Sequence, residues 1–294
     1  MTEQLLSIVH LSAVSARDGN APVLRDVSLS VARGEVHGLV GESGAGKSTI
    51  AKAILGILPG GIRITQGTIK LGGRDLLALG AHARRRLLGA EVSLIPQDPL
   101  TALNPARRIG AQLTDGLRLW RGLSARDAQT RALALLDDVQ MREPARVMRA
   151  YPHELSGGMR QRVLIAAAFA LDPKLVIADE PTTELDTTVQ KQILRLIRAM
   201  QERHGTSVIF VTHNVGVVAQ ICDRATLLYM GKVMEQGTTR DLIEVPHHPY
   251  TQALMAACPR YDRPGQELEP IPDAVLATCR AEVMAFDRAG VSHG

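Results

Sequence analysis

Aromatic side chains are scarce in this chain: of 294 residues three are Phe, four Tyr and one Trp, and none of them stands before Trp120. Proteins that grip single-stranded nucleic acid stack bases on such rings, so their scarcity argues against that role. The arginines agree. Arg84-Arg85-Arg86, Arg107-Arg108 and Arg142, Arg146 and Arg149 are scattered rather than gathered into one stripe, and the net charge is only +4. Solvated helix faces explain them better than a nucleic-acid footprint. Cysteine is also sparse. Cys222, Cys258 and Cys279 are far apart and odd in number, which speaks against a disulfide framework or a zinc knuckle. No apolar run approaches the ~18–20 residues of a membrane span, and the N-terminus lacks the basic start and apolar stretch of a signal peptide. A cytosolic protein is expected.

What is present suits a folded α/β protein, with 45% hydrophobic residues. Residues 5–12 and 23–33 read as β-rich and lead through Arg33-Gly34-Glu35 into the apolar run Val36–Val40. After a helix over Thr49–Leu55, Leu58-Pro-Gly-Gly61 breaks the chain, and 63–75 reads as extended with a Gly72-Gly73 turn. Val92–Pro96 reads as another strand. From Asp98 the character turns helical, with segments near 107–119, 125–139 and 143–150, then a helix capped by Ser156 and running to about Leu171. This stretch, about 98–171, is expected as a helical subdomain inserted in a domain spanning 1–257. Leu175–Ala178 and Ser207–Thr212 read as buried strands of a parallel sheet. Val189, Ile193, Leu196, Ile197 and Met200 form an apolar helical stripe between them. A short helix is expected over Tyr250–Ala257, followed by a proline- and charge-rich tail, 258–294. Alternation of strands and helices predicts an α/β fold with crossover connections.

The chemistry is concentrated in Gly41-Glu-Ser-Gly-Ala-Gly-Lys-Ser48, a G-x-x-x-x-G-K-[ST] phosphate loop between a strand and a helix. Glycines let successive N–H groups form an anion nest, and the helix dipole adds positive potential. Lys47 supplies a charge for the β- and γ-phosphates, and Ser48 a hydroxyl for Mg²⁺. A second piece is Asp179-Glu180 at the end of a buried strand. Successive side chains leave a strand in different directions, so one acid can serve a metal shell while its neighbour polarises water. Mg²⁺ coordination through Asp179 is the preferred reading.

The third piece, Leu155-Ser-Gly-Gly-Met-Arg-Gln-Arg162, resembles the signature motif of ATP-binding cassette proteins. The other cassette elements follow in order: Gln97 matches the Q-loop glutamine, Thr183-Glu184-Leu185-Asp186 the D-loop, and His213 the switch histidine. The resemblance spans about residues 5–257. It implies a phosphate-loop NTPase core with a parallel sheet, an N-terminal antiparallel β subdomain and the helical insert. It further implies two cassettes packed head to tail, each ATP lying between one subunit's phosphate loop and the other's signature helix. Gly41, Ser43, Gly44, Ala45, Gly46, Lys47, Ser48 and Thr49 would then hold ATP and Mg²⁺ in this chain's own site, with Gln97 and Asp179 completing the metal shell. Glu180 would orient or deprotonate water and His213 would contact the γ-phosphate. Ser156, Gly157 and Gly158 would serve the partner's nucleotide, with Asp186 nearby.

Gln97-Asp-Pro-Leu-Thr-Ala-Leu-Asn-Pro105, Ala178-Asp-Glu-Pro-Thr-Thr183 and His248-Pro-Tyr-Thr251 resemble the ATPases of peptide and nickel importers. That resemblance implies two permease subunits, a second ATPase subunit (different or identical), an external solute-binding protein and docking on the cytoplasmic face of the inner membrane. Peptide uptake is the leading reading; nickel or a metal chelate is the alternative, and a soluble cassette protein a distant one. Three features depart from the pattern. No aromatic residue stands where adenine usually stacks, near Ser15–Arg17, which leaves Arg17 as one candidate for the base. Glu184 replaces the usual small residue. Cys258 and Cys279 lack the clustered four-thiolate spacing of an iron–sulfur centre, so no cluster is expected.

Overall fold

The structure, a computed structural model, describes residues 3–183, 185–257 and 271–291. In chain order the first elements are β1 (Gln4–Ser15), β2 (Ala21–Ala32), β3 (Val36–Val40), α1 (Lys47–Leu55), β4 (Ile62–Leu71), β5 (Arg74–Asp75), α2 (Ala81–Glu91) and β6 (Val92–Ile95). Helices α3 (Pro99–Ala102), α4 (Ile109–Arg121), α5 (Ala125–Asp138), α6 (Pro144–Arg149) and α7 (Gly157–Phe169) follow. Then come β7 (Leu175–Asp179), α8 (Thr187–His204), β8 (Ser207–Thr212), α9 (Val215–Ile221), β9 (Arg224–Tyr229) and β10 (Lys232–Thr238). The chain closes with α10 (Thr239–Glu244), α11 (Pro249–Ala256) and α12 (Asp273–Val291). Two compact units result, one from Gln4–Ala78 with Phe210–Gly294, the other around Leu79–Ile209.

In the first unit β1 is paired on both sides in an antiparallel sheet of order β2-β1-β4-β5. Gly72 and Gly73, with φ of +53° and +78°, make the turn between β4 and β5, a geometry that glycine adopts without a steric penalty. Strand β3 is buried along its whole length. It pairs in parallel with β9, whose other edge pairs antiparallel with β10. Gly38 in β3 leaves room for Cys222 Sγ, which would lie 3.1 Å from a Cβ there. Tyr229, Tyr250, Cys279 and Val283 form a further core, drawn from β9, α11 and α12, with Val275 and Leu276 packed against it.

In the second unit β6 pairs in parallel with β7, Val92 to Ile95 against Leu175 to Ala178. Sequence-predicted helices at 107–119, 125–139 and 143–150 lie at Ile109–Arg121, Ala125–Asp138 and Pro144–Arg149. Their boundaries follow local chemistry: Gly122 closes α4 at φ +64°, and the Ser124 hydroxyl caps α5 by accepting from Asp127 N. Helix α7 buries residues on most of its circumference, Val163, Leu164, Ile165, Ala168 and Phe169 among them, as expected of a helix enclosed in a core. Of the stripe on α8, Ile193, Leu196, Ile197 and Met200 are buried and Val189 is half-buried.

Candidate functional site

The phosphate loop lies in the first unit. Gly41 must be glycine: a Cβ there would sit 2.3 Å from the Leu228 carbonyl oxygen of β9. Gly44 and Gly46 hold φ of +81° and +96°, where L side chains are strained. Between them Ala45 N donates to the Glu42 carbonyl at 3.1 Å, tightening the loop. Ser43 and Gly44 face solvent, whereas Ala45, Gly46 and Lys47 are buried. The Lys47 ammonium arches over its own loop, donating to the carbonyls of Gly41 at 2.7 Å and Glu42 at 2.8 Å. Helix α1 begins at Lys47, with no side-chain cap on Gly46 and no acid in its first turn. No residue of that first turn sets a carboxylate against its positive end. Ser48 and Thr49 lie half-buried in that turn. Such a nest, with an ammonium at its mouth and a hydroxyl beside it, fits a polyphosphate with its Mg²⁺. His213, exposed just past the end of β8, also belongs to this unit, and the next residue, Asn214, caps α9 through Gly216 N at 2.9 Å.

The acidic pair lies in the second unit. Asp179 ends β7, and Glu180 follows it with φ of +46°. A left-handed backbone costs a glutamate roughly 1–3 kcal/mol and is concentrated at functional positions. The loop that follows holds it there: Thr183 N donates to the Glu180 carbonyl at 3.3 Å, and the Thr183 hydroxyl reaches Glu180 Oε2 at 3.0 Å. Gln161 of α7, buried, donates to the Pro181 carbonyl at 2.9 Å. It thereby ties the signature helix to the loop carrying the acidic pair. In the sequence Gln161 and Thr183 are motif letters only; the folded chain pairs them with Pro181 and Glu180. Gln97 is exposed two residues beyond β6, and Asp98 beside it caps α3 through Leu100 N.

Ser156 caps α7, its hydroxyl accepting from Met159 N at 3.4 Å. Nothing lies within 4 Å of a Cβ placed on Gly157, and only Val189 Cγ1, at 3.7 Å, on Gly158. Neither glycine is demanded by this chain's own packing. Asp186 is spent locally as well, since Oδ1 accepts from Thr188 N and Val189 N at 3.0 Å each to cap α8. Glu184 lies outside the described residues. Near the expected adenine position the Ser15 hydroxyl binds Asp18. Exposed Arg17 lays its stem and Nε over Gly61, where a Cβ would come within 2.9 Å. Cys279 is buried in the α12 core, and burial pushes its thiol up from the usual range; Cys258 lies outside the described residues.

Comparison with known proteins places these parts in one family. The model described as "ABC transporter" matches residues 24–183, and that described as "Oligopeptide/dipeptide transporter, C-terminal region" matches 234–283. A third, "AAA domain, putative AbiEii toxin, Type IV TA system", matches 149–219. The chain is 46% identical to the probable D,D-dipeptide transport ATP-binding protein DdpD of Escherichia coli over 94% of its own length and 84% of that protein's. Against the dipeptide transport ATP-binding protein DppD of Bacillus subtilis identity is 42%, covering 92% of this chain and 81% of the relative. Its fold resembles the solved post-hydrolysis dimer of the ATP-binding cassette MJ0796 bound to ADP and Pi, with a TM-score of 0.70 and 26% identity over 80% of this chain and 99% of that one. A similar likeness, TM-score 0.72 at 25% identity over 82% and 90%, holds for cbiO1 of Clostridium perfringens. The chain belongs to the ABC transporter family, as one of its ATPase subunits.

Proposed function

We propose that this chain energises the import of di- and oligopeptides as the ATP-hydrolysing subunit of a membrane complex. The observation that carries the peptide reading is the match of residues 234–283 to the C-terminal region of oligopeptide and dipeptide transporters, supported by relatives named for peptide transport. None of these names is a nickel carrier, so the metal-chelate alternative gains nothing. In this reading residues 1–257 are the nucleotide-binding domain, with the helical insert at about 98–171, and 258–294 an extension. The complex comprises two permease subunits, a second ATPase subunit and an external solute-binding protein. Among the described residues no helix is long and apolar enough to cross a membrane, which suits peripheral attachment through the permeases.

The phosphate loop 41–48 and Thr49 bind the triphosphate, Lys47 and the amides of the nest offsetting its charge. In this reading Ser48, Gln97 and Asp179 would hold Mg²⁺, which would polarise the terminal phosphates. Glu180, set by its left-handed backbone and by Thr183, orients or deprotonates the attacking water, and His213 contacts the γ-phosphate. Most of the rate enhancement comes from positioning and charge stabilisation. Ser156, Gly157 and Gly158 serve the nucleotide of the partner ATPase, with Asp186 close by. The reading is tested by co-expressing the chain with its candidate permeases and adding the solute-binding protein loaded with peptide. Stimulated ATP turnover that disappears with Glu180→Gln is expected. Turnover indifferent to peptide, or equal in the Gln variant, sinks the reading.

A further inference from the structure

Helix α12, in the C-terminal tail, reaches the back of the phosphate loop through a continuous relay within one compact unit. Asp287 of α12 takes both arms of the Arg25 guanidinium, Nε to Oδ1 at 2.7 Å and Nη2 to Oδ2 at 2.9 Å. The Arg25 side chain is nearly buried, at 10% exposure, so this is a bidentate pair in a partly desolvated place. Its remaining arm, Nη1, donates to the carbonyl of Met230.

Met230 and Gly231 are the two residues of the β9–β10 turn, since Tyr229 pairs with Lys232. Both have positive φ, +48° and +77°, as a primed hairpin turn requires. The turn is itself fastened at both faces: Arg25 N donates to the Gly231 carbonyl at 2.8 Å, and Gly231 N donates to the Ala45 carbonyl of the phosphate loop at 3.0 Å. A Cβ on neighbouring Gly46 would lie 3.4 Å from Gly231 Cα. The turn therefore forms the floor on which the loop rests.

Other contacts hold α12 in register with that floor. Lys232, the residue after the turn, binds Glu282 at 2.5 Å and lies over the Phe286 ring at 5.7 Å. The fully buried Tyr250 ring packs 5.2 Å from Tyr229. Burial pushes the Tyr250 phenol well up.

We infer that Arg25 and Asp287 are positioning residues for ATP binding: the pair locks the Met230–Gly231 turn, and through it the Ala45 carbonyl, in the geometry that keeps the loop amides aimed at phosphate. The inference rests on the reading of residues 41–48 as the nucleotide site. Neither side chain touches nucleotide; each acts through the turn. Loosening the floor weakens binding of ATP by every folded molecule, whereas a purely structural defect reduces the number of competent molecules and leaves their affinity alone.

The test is equilibrium titration of the purified full-length chain with Mg·ATP, recording dissociation constant and stoichiometry separately, beside a thermal melt without nucleotide. Asp287→Ala is expected to raise the dissociation constant roughly three- to tenfold at unchanged stoichiometry, and Asp287→Glu to recover most of it. Arg25→Lys keeps the charge but cannot span Asp287 and Met230 together; it is expected to weaken binding similarly and gives the answer if Asp287→Ala does not fold. An unchanged dissociation constant, with or without a fall in stoichiometry, overturns the inference. Lys47→Ala separates the two levels: if it binds ATP as tightly as the native chain, the nucleotide site itself is misassigned and both readings fall. If only Lys47→Ala is impaired, the relay alone is refuted.

Discussion

Gly231 carries three constraints at once. Its φ is +77°, its N–H supports the phosphate loop through Ala45, and a Cβ would lie 2.1 Å from the Val23 carbonyl oxygen. Backbone cannot yield as a flexible side chain can, so Gly231→Ala is expected to cost about 2–4 kcal/mol, from the left-handed conformation and the clash together. A shift in denaturant midpoint measures this; a loss below a few tenths of a kcal/mol would show that the turn yields more freely than its contacts imply. Glu180 lies at the other extreme. Its positive φ could not be read from the letters Asp-Glu-Pro, because nothing local in that sequence demands it; the motif identified the residue but not its strain. Phosphate-loop glycines were legible for the opposite reason. Their spacing identifies the loop, and Gly41, Gly44 and Gly46 all carry positive φ. Gln161 and Arg25 were not legible as contacts, since their partners Pro181 and Asp287 lie far along the chain.

At the level of elements, strands and helices with strong punctuation were read correctly to within a few residues, α4, α5 and β6 among them. Several were passed over. Helix α2 has Arg84, Arg85 and Arg86 in a row and buries only Leu87 and Leu88, which leaves almost no amphipathic signal. Helix α12 was hidden by the composition of the tail, although Val275, Cys279 and Val283 recur every four residues and pack on one core. The carboxylates around it make its stability depend on acid. Burial alone would raise the Glu235 carboxyl, but the Thr251 hydroxyl and the N–H groups of His247 and His248, 2.9 and 3.0 Å away, hold it below the ordinary 4.5. Glu282 is held below 4.5 first by Lys232, with burial opposing and His248 assisting. Both groups bind protons more weakly folded than unfolded. Their stabilisation is fully present above pH 4.5 and is lost as pH falls below it through the folded values. Urea midpoints are expected to be level from about pH 7 to about pH 5 and to fall below that, less so in Glu282→Gln. A decline that begins near neutrality would assign the acid sensitivity to other groups.

For the whole molecule, the decisive feature is one the single chain leaves unexplained. Gly157 and Gly158 open α7 with space around them, and Ser156 is exposed while it caps the helix. In the proposed reading these open residues face a surface that another ATPase brings against them. The identity of the cargo was legible only through resemblance, because an ATPase of this kind does not touch what is carried. The resemblance that bears on it is the match of residues 234–283 to the C-terminal region of oligopeptide and dipeptide transporters.

Gly157→Asp in the assembled transporter tests the shared site most directly. A Cβ there has open space around it, and an acid in the first turn of α7, where there is none now, favours the helix by about 0.3–1 kcal/mol. A carboxylate there would instead face the partner's γ-phosphate and repel it. Melting unchanged or slightly raised, ATP still bound by the chain's own phosphate loop, and peptide-stimulated turnover lost is the expected result. Native turnover in that variant would contradict a nucleotide clamped between two subunits.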